Sequence, residues 1–293
     1  MLDEVAIIVI RGIGLGAIYA LIAMSMNIVY GSSHILNFAQ GQMFVLGGFF
    51  AVYAAVGSSN LTLWLALLPL AAFALAAFVS FQGWVTLIPL RQSVEQNSWL
   101  ITTMAASIII SAGLLLVQGP WAAAARSPIP PVVLFGVRTP GPYIAVMVLA
   151  LVWYFALRFF LTRTLTGLAI SALSQDLAAA RAAGLRVRRL QLLSFAVSGL
   201  VVGSAGYVAA PLMSISADTG ARYVLNGFVA AVIGGMGNNT GAMVGGVLVG
   251  IVSMLAIYIF GGEYQGLVTL LLLVAMLVIR PEGIFGRSSA RRV

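Results

Sequence analysis

The chain has 293 residues, of which 61% are hydrophobic and only 8% are charged, with a mean hydropathy of +1.08. An ordinary soluble domain is about 25% charged, so a soluble enzyme, a nucleic-acid binder and a disordered chain are excluded, and a polytopic membrane protein remains. All 15 cations are Arg, with no Lys and no Cys, which excludes Schiff-base chemistry, a P-loop, disulfides and thiolate metal sites.

Crossing a bilayer core of about 30 Å takes about 20 apolar residues in a helix. The first such run, 12–30, follows Asp3, Glu4 and Arg11, and an acidic start of this kind predicts a retained span rather than a signal peptide. A short polar break covers 31–40. Spans at 41–57, 61–90 and 98–118 follow, separated by a tight turn at Ser58-Ser59-Asn60 and a polar stretch at 91–97. Residues 119–142 hold six of the ten prolines and predict an extended extramembrane loop. After a span at 143–161, the stretch 162–189 is the most polar of the chain, with Arg163, Asp176, Arg181, Arg186, Arg188 and Arg189. The last runs are 190–212, a short one at 223–236, 241–260 beyond a turn at 237–240, and 266–279 before a polar tail. The expected architecture is one all-α transmembrane domain of about eight or nine helices over 1–293, the count resting on 223–236.

Loop Arg residues mark the cytoplasm. Nine spans with the N-terminus outside put Arg91, Arg158, Arg163, Arg181, Arg186, Arg188, Arg189, Arg280, Arg287, Arg291 and Arg292 inside, and leave only Arg11, Arg126, Arg138 and Arg222 outside. The segment 162–189 and the C-terminus are then cytoplasmic, and 119–142 is extracytoplasmic. Spans one to four and six to nine would run in opposite senses, which permits an inverted repeat of the kind common in transporters.

Chemistry is sparse. Asp3, Glu4, Glu95, Asp176, Asp218, Glu263 and Glu282 all fall in loops or at span ends in this reading, which weighs against a proton-driven carrier. There is no HExxH, no GxSxG and no paired carboxylate, so no enzyme, resident cofactor or metal is expected, and the lone His34 cannot by itself form a zinc site. The polar residues of the first break are Asn27, Tyr30, Asn37, Gln40 and Gln42. They form either an ordinary interfacial loop or a pathway-lining element, since irregular polar backbone at membrane depth survives only against protein or a wet cavity. Residues 174–184 predict a short Ala-rich helix, with Ser174 near its cap, Asp176 in its first turn and Gly184 as its stop. This is either a solvated Arg-bearing loop or a docking element, with Gln175, Asp176, Ala179, Arg181 and Gly184 as the candidate contacts. The repeats Gly12-x-x-x-Gly16, Gly199-x-x-x-Gly203, Gly237-x-x-x-Gly241, Gly241-x-x-x-Gly245 and Gly246-x-x-x-Gly250 predict close helix packing, and the run 234–250 a subunit seam or a broken helix.

Five stretches together resemble the permease subunits of bacterial branched-chain amino-acid type ABC importers, the smaller of the two permeases in particular. They are Gly16-Ala-Ile-Tyr-Ala-Leu; Tyr30-Gly with Asn37-Phe-Ala-Gln-Gly41; Ala179-Ala-x-x-x-Gly184-x-x-Val-x-Arg189 leading to Ser194-Phe-Ala-Val-Ser-Gly199; Val232-Ile-Gly-Gly-Met-Gly237 with Gly241-x-x-x-Gly-Gly246; and Arg280-Pro-Glu-Gly-Ile-Phe-Gly286. The resemblance implies a bacterial inner-membrane location, a second homologous permease completing the pore, two ABC ATPase subunits docked at 174–184 and an extracytoplasmic substrate-binding protein. Where the family commonly has His after Asn-Phe-Ala, this chain has Gln40. Relatives carry urea, short amides and aromatic acids as well as branched-chain amino acids, so the resemblance leaves the solute open. An ion-coupled carrier or channel working without an ATPase is the alternative.

Overall fold

The computed structural model describes residues 2–55, 60–87, 98–134 and 136–286. Arg91, Glu95, Arg287, Arg291 and Arg292, the rest of 91–97, and Ser58 and Ser59 of the expected turn lie outside them. The helices are α1 (Leu2–Ser33), α2 (Gln40–Ala55), α3 (Leu61–Leu87), α4 (Ser98–Gln118), α5 (Gly141–Arg163), α6 (Leu165–Gln175), α7 (Leu177–Ala182), α8 (Val187–Ala209), α9 (Thr219–Gly234), α10 (Asn239–Phe260) and α11 (Gln265–Ile279). Seven helical stretches are long and apolar enough to cross a membrane; α2 and α9, with 16 residues each, are not. At 1.5 Å per residue each of the two spans about 24 Å, short of the roughly 30 Å core.

The expected loop 119–142 is partly ordered. Strands β1 (Val132–Leu134) and β2 (Val137–Thr139) pair as an antiparallel hairpin. Ala123 makes a β-bridge with Ile215. The loop ends earlier than expected, because Pro142 lies in the first turn of α5, where its missing N–H costs nothing. α1 begins well before the expected Gly12 and runs to Ser33, where His34 turns the chain with a positive φ of 55°.

The chain is built as two groups of four helices, α1–α4 and α8–α11, joined by α5–α7. Each group has the same order: a long helix, a non-helical re-entry (34–39 or 213–218), a 16-residue helix, another long helix and a peripheral one. The leading helices run antiparallel, since Gln191 Nε2 donates to Ser32 O at 3.4 Å while Gln40 reaches Ser25 at 3.3 Å and also Ser198. Packing is exchanged between groups. α1 lies on α10, where a Cβ on Gly16 would meet Val247 Cα at 2.7 Å and one on Gly12 would meet Ile251 Cα at 2.9 Å. α8 lies on α3, where a Cβ on Gly199 would meet Ala76 Cα at 2.7 Å. These repeats, with Gly234 facing Gly241 between α9 and α10, are internal seams rather than a subunit seam: without side chains, two backbones approach closely enough for dispersion to hold them in lipid.

The two short helices meet where the groups cross. Gly41 and Gly220, each the second residue of its helix, lie backbone to backbone, and a Cβ on Gly220 would stand 2.8 Å from Gly41 O. The ring of Tyr223 lies 5.0 Å from Phe44 and 6.1 Å from Tyr19. Tyr19 is near the midpoint of the 32-residue α1, so both short helices begin beside the middle of that helix. From there α2 runs toward the side that carries the β1–β2 hairpin, and α9 toward the side that carries α7. This is the arrangement of an inverted repeat with two broken helices. Asp218 and Arg222, expected at a span end and in an outer loop, stand at the start of α9, which follows the non-helical stretch 213–218.

Candidate functional site

The polar residues of the first re-entry fall into two sets. Asn37, Gln40 and Gln42 are buried among helices. Asn37 Nδ2 donates to Gln82 Oε1 at 2.9 Å, its Oδ1 accepts from Ala39 N at 3.1 Å, and Gln82 Nε2 donates to Thr86 Oγ1 at 2.9 Å. Asn37 therefore starts α2 and ties the re-entry to α3. Gln40 bridges α1 and α8 through Ser25 and Ser198, and Gln42 Nε2 donates to Ala217 O of the second re-entry at 3.2 Å. None of these three lines the cavities of about 510, 520, 540 and 730 Å³ among the described residues. Their amides hold the crossing together, and in an apolar interior such bonds are expensive to leave unmade.

Asn27 and Tyr30 belong to the second set. They line a cavity of about 730 Å³ on the α7 side, together with His34, Arg158, Gln175 and Thr240. Asn27 also holds the α9–α10 turn, accepting from Gly237 N at 3.0 Å and donating to Asn238 O at 3.1 Å. That turn needs positive φ at Gly235 (99°) and Gly237 (81°). The Tyr30 ring lies 5.5 Å from His34, and Tyr154 meets Thr240 across the cavity at 3.1 Å. The C-terminal stretch closes over the same turn: Ile284 N donates to Ile233 O at 2.8 Å, Phe285 N to Gly234 O at 3.1 Å, and Asn238 Nδ2 to Phe285 O at 3.2 Å. The last carbonyls of α9 are thereby satisfied from the chain end.

The stretch 174–184 is not one helix capped near Ser174. α6 ends at Gln175, and α7 is a separate helix capped by Asp176, whose Oδ1 accepts from Ala178 N at 2.8 Å and Ala179 N at 3.0 Å. A carboxylate that takes two free N–H groups makes a better start than continued helix, and this divides the two elements. Gly184, with φ of 80°, ends α7, and Leu185 N closes on Ala180 O at 3.1 Å. α7 leans on Ile170, Leu173 and Leu190 through Ala180, and leaves Ala178, Ala179, Arg181 and Ala182 exposed. The most polar stretch of the sequence thus has a small apolar core of its own. Ser174 and Gln175 are the residues of the stretch that reach the 730 Å³ cavity.

A second polar centre lies on the hairpin side and went unread in the sequence. Tyr19 Oη accepts from Gln265 Nε2 at 2.9 Å and from Asn226 Nδ2 at 3.2 Å, and Ser253 meets Thr269 at 3.3 Å. Cavities of about 510 and 520 Å³ share Arg222, Asn226 and Gln265 in their walls. The available signal was Asn226, a lone amide in a short apolar run directly after Arg222. Among the described residues, no group of three or more His, Asp or Glu side chains is placed to hold a metal ion.

The family model described as "Branched-chain amino acid transport system / permease component" matches residues 8–277. The chain is 30% identical to the high-affinity branched-chain amino acid transport system permease protein BraD of Pseudomonas aeruginosa, over 97% of this chain and 96% of that one. It is also 30% identical, with the same coverage, to the corresponding permease protein LivH of Escherichia coli. A probable branched-chain amino acid transport permease LivH of Methanocaldococcus jannaschii is 25% identical over 91% of this chain and 88% of its own length. No solved structure matches the chain. The matched region spans both four-helix groups, the crossing of α2 with α9, and α6–α7, and the chain belongs to the family of branched-chain amino acid transport system permease components, the membrane-spanning subunits of ABC importers.

Proposed function

We propose that the protein is the permease through which an ABC importer of the bacterial inner membrane moves a branched-chain amino acid, or a closely related small solute, into the cell. α7 is its docking element for the ATPases, and the N-terminus lies outside. Two ATPase subunits, a second homologous permease and an extracytoplasmic substrate-binding protein complete the machine, and this chain itself binds no cofactor and catalyses no reaction.

The observation that carries the reading is the wall of the 730 Å³ cavity. Asn27 and Tyr30 of α1 share it with Ser174 and Gln175 at the end of α6, directly before the α7 cap, so a push on α7 reaches the membrane cavity through the last turn of α6. The Arg pattern supports the orientation. Arg158, Arg163, Arg181, Arg186, Arg188, Arg189 and Arg280 fall on the α7 side, whereas Arg11, Arg126 and Arg138 fall on the hairpin side.

In the reconstituted complex, Gly184→Pro inserts normally but lowers substrate-stimulated ATP hydrolysis several-fold, because Pro cannot adopt the φ of 80° that ends α7. Normal stimulation with an intact permease refutes the docking role of α7.

A further inference from the structure

Arg222 is exposed on the first turn of α9, next to Tyr223, whose ring lies 6.1 Å from that of Tyr19 in α1. A charge within a membrane-spanning bundle is costly against hydrocarbon, and such residues face protein or water and mark a solute path. Asp218 stands four positions earlier, so the two side chains lie on one side of the helix start. Its carboxylate makes no capping hydrogen bond to α9, unlike that of Asp176 at α7.

Both charges line the 520 Å³ cavity, which falls within the range of small-ligand sites, about 300–1,000 Å³. The remaining wall has two characters. Tyr19, Asn226 and Gln265 form a hydrogen-bonded polar patch next to Arg222. Leu15, Leu212, Met213, Met254 and Ile257 form an apolar sector of the same cavity. A cation, an anion and an apolar sector in one compartment describe the outline of a zwitterion with an aliphatic side chain.

We infer that this cavity is a subsite for the solute within the permease. Arg222 receives the α-carboxylate, Asp218 the α-ammonium, and the sector around Met213 and Met254 the side chain. The inference rests on the import of an amino acid proposed above, and adds where in the permease it is held. Arg fits the carboxylate role because its planar fork can make two parallel hydrogen bonds to it. The polar patch keeps the tip of Tyr19 engaged, so the aromatic ring presents a fixed wall. The neighbouring 510 Å³ cavity, lined by Glu263 and the same Arg222, extends the compartment toward the hairpin side, where the solute would arrive.

The test is uptake of L-leucine into proteoliposomes that contain the complete transporter, with its binding protein outside and ATP inside. Arg222→Gln is expected to lower uptake at least tenfold, and Arg222→Lys, which keeps the charge but not the fork, to recover part of it. Met254→Ala enlarges the apolar sector and is expected to shift the uptake ratio of L-phenylalanine to L-leucine several-fold toward the larger solute; it decides the matter even where Arg222→Gln fails to insert. Wild-type uptake in Arg222→Gln, equal loss in Arg222→Lys, or an unchanged ratio in Met254→Ala overturns the subsite. A wild-type transporter that takes up no branched-chain amino acid refutes the import reading itself, and the subsite with it.

Discussion

The two re-entries, 34–39 and 213–218, occupy corresponding places in the two halves and are used in opposite ways. The first is buried, although Gln40 Oε1 and Gln42 Oε1 accept no hydrogen bond among the described residues. Its Asn37 is bonded to Gln82 and Ala39, and the Gln40 and Gln42 that follow it reach across to α1, α8 and the second re-entry. The second is open. Ser214, Ser216 and Asp218 line a cavity, with Arg222 following on α9. Duplicated architecture therefore supplies one half that fixes the crossing and another that is free to meet a ligand. Polar side chains in a membrane bundle do not reveal which task they have; what separates the two re-entries is that Asn37, Gln40 and Gln42 are buried between helices, whereas Ser214, Ser216 and Asp218 stand in a cavity wall.

The point shared by both halves should be the most sensitive. Gly220→Leu places a side chain against the backbone of Gly41, where no flexible group can yield. Overpacking of this kind costs about 1–3 kcal/mol and at times more, and at a backbone contact the upper end is expected. The purified variant should lose its monodisperse gel-filtration peak or melt well below the wild type. An unchanged melting temperature would mean that the halves do not meet there. Next in size is Asn37→Leu, which removes the partner of Gln82 in an apolar surrounding at a cost of about 1–3 kcal/mol. Its melting temperature should fall, while the ratio of L-phenylalanine to L-leucine uptake per folded transporter stays at the wild-type value. A changed ratio would make the first re-entry part of the solute path and break the contrast with the second.

Much of this arrangement was legible in the sequence, for physical reasons. Apolar runs of membrane-spanning length placed the long helices, and the prolines of 119–142 placed the loop. What could not be read was the crossing. The run 223–236 has the composition of a span, yet α9 is a 16-residue helix that starts at residue 219 against the start of α2, because Gly41 and Gly220 permit a close contact between residues far apart in sequence. Asp218 and Arg222 were assigned to span ends and loops on that account. Asn37, Gln40 and Gln42 stood out because they are polar, but composition could not tell that Gln82, Ser198 and Ala217 would receive them. Asn27 and Tyr30, from the same stretch, do reach a cavity.

The smallest expected effect concerns Asp176, where the carboxylate has two separable properties. Its oxygen accepts from Ala178 N and Ala179 N and so starts α7; its charge is exposed and available to a partner. Removing the acceptor from an N-cap costs about 0.5–2 kcal/mol, and Asn caps about as well as Asp. Asp176→Ala should therefore fray the six-residue α7 and reduce substrate-stimulated ATP hydrolysis severalfold at most, with no change in solute preference. Asp176→Asn, which keeps the cap and removes only the charge, should stimulate like the wild type. If Asn fails as badly as Ala, the charge and not the cap is what the ATPase side reads, and α7 would be an electrostatic contact rather than a shape-matched one. The Ala-rich exposed face, with Arg181 as its one charged member, favours shape: small side chains let a partner approach the helix backbone, much as glycine does where α1 meets α10.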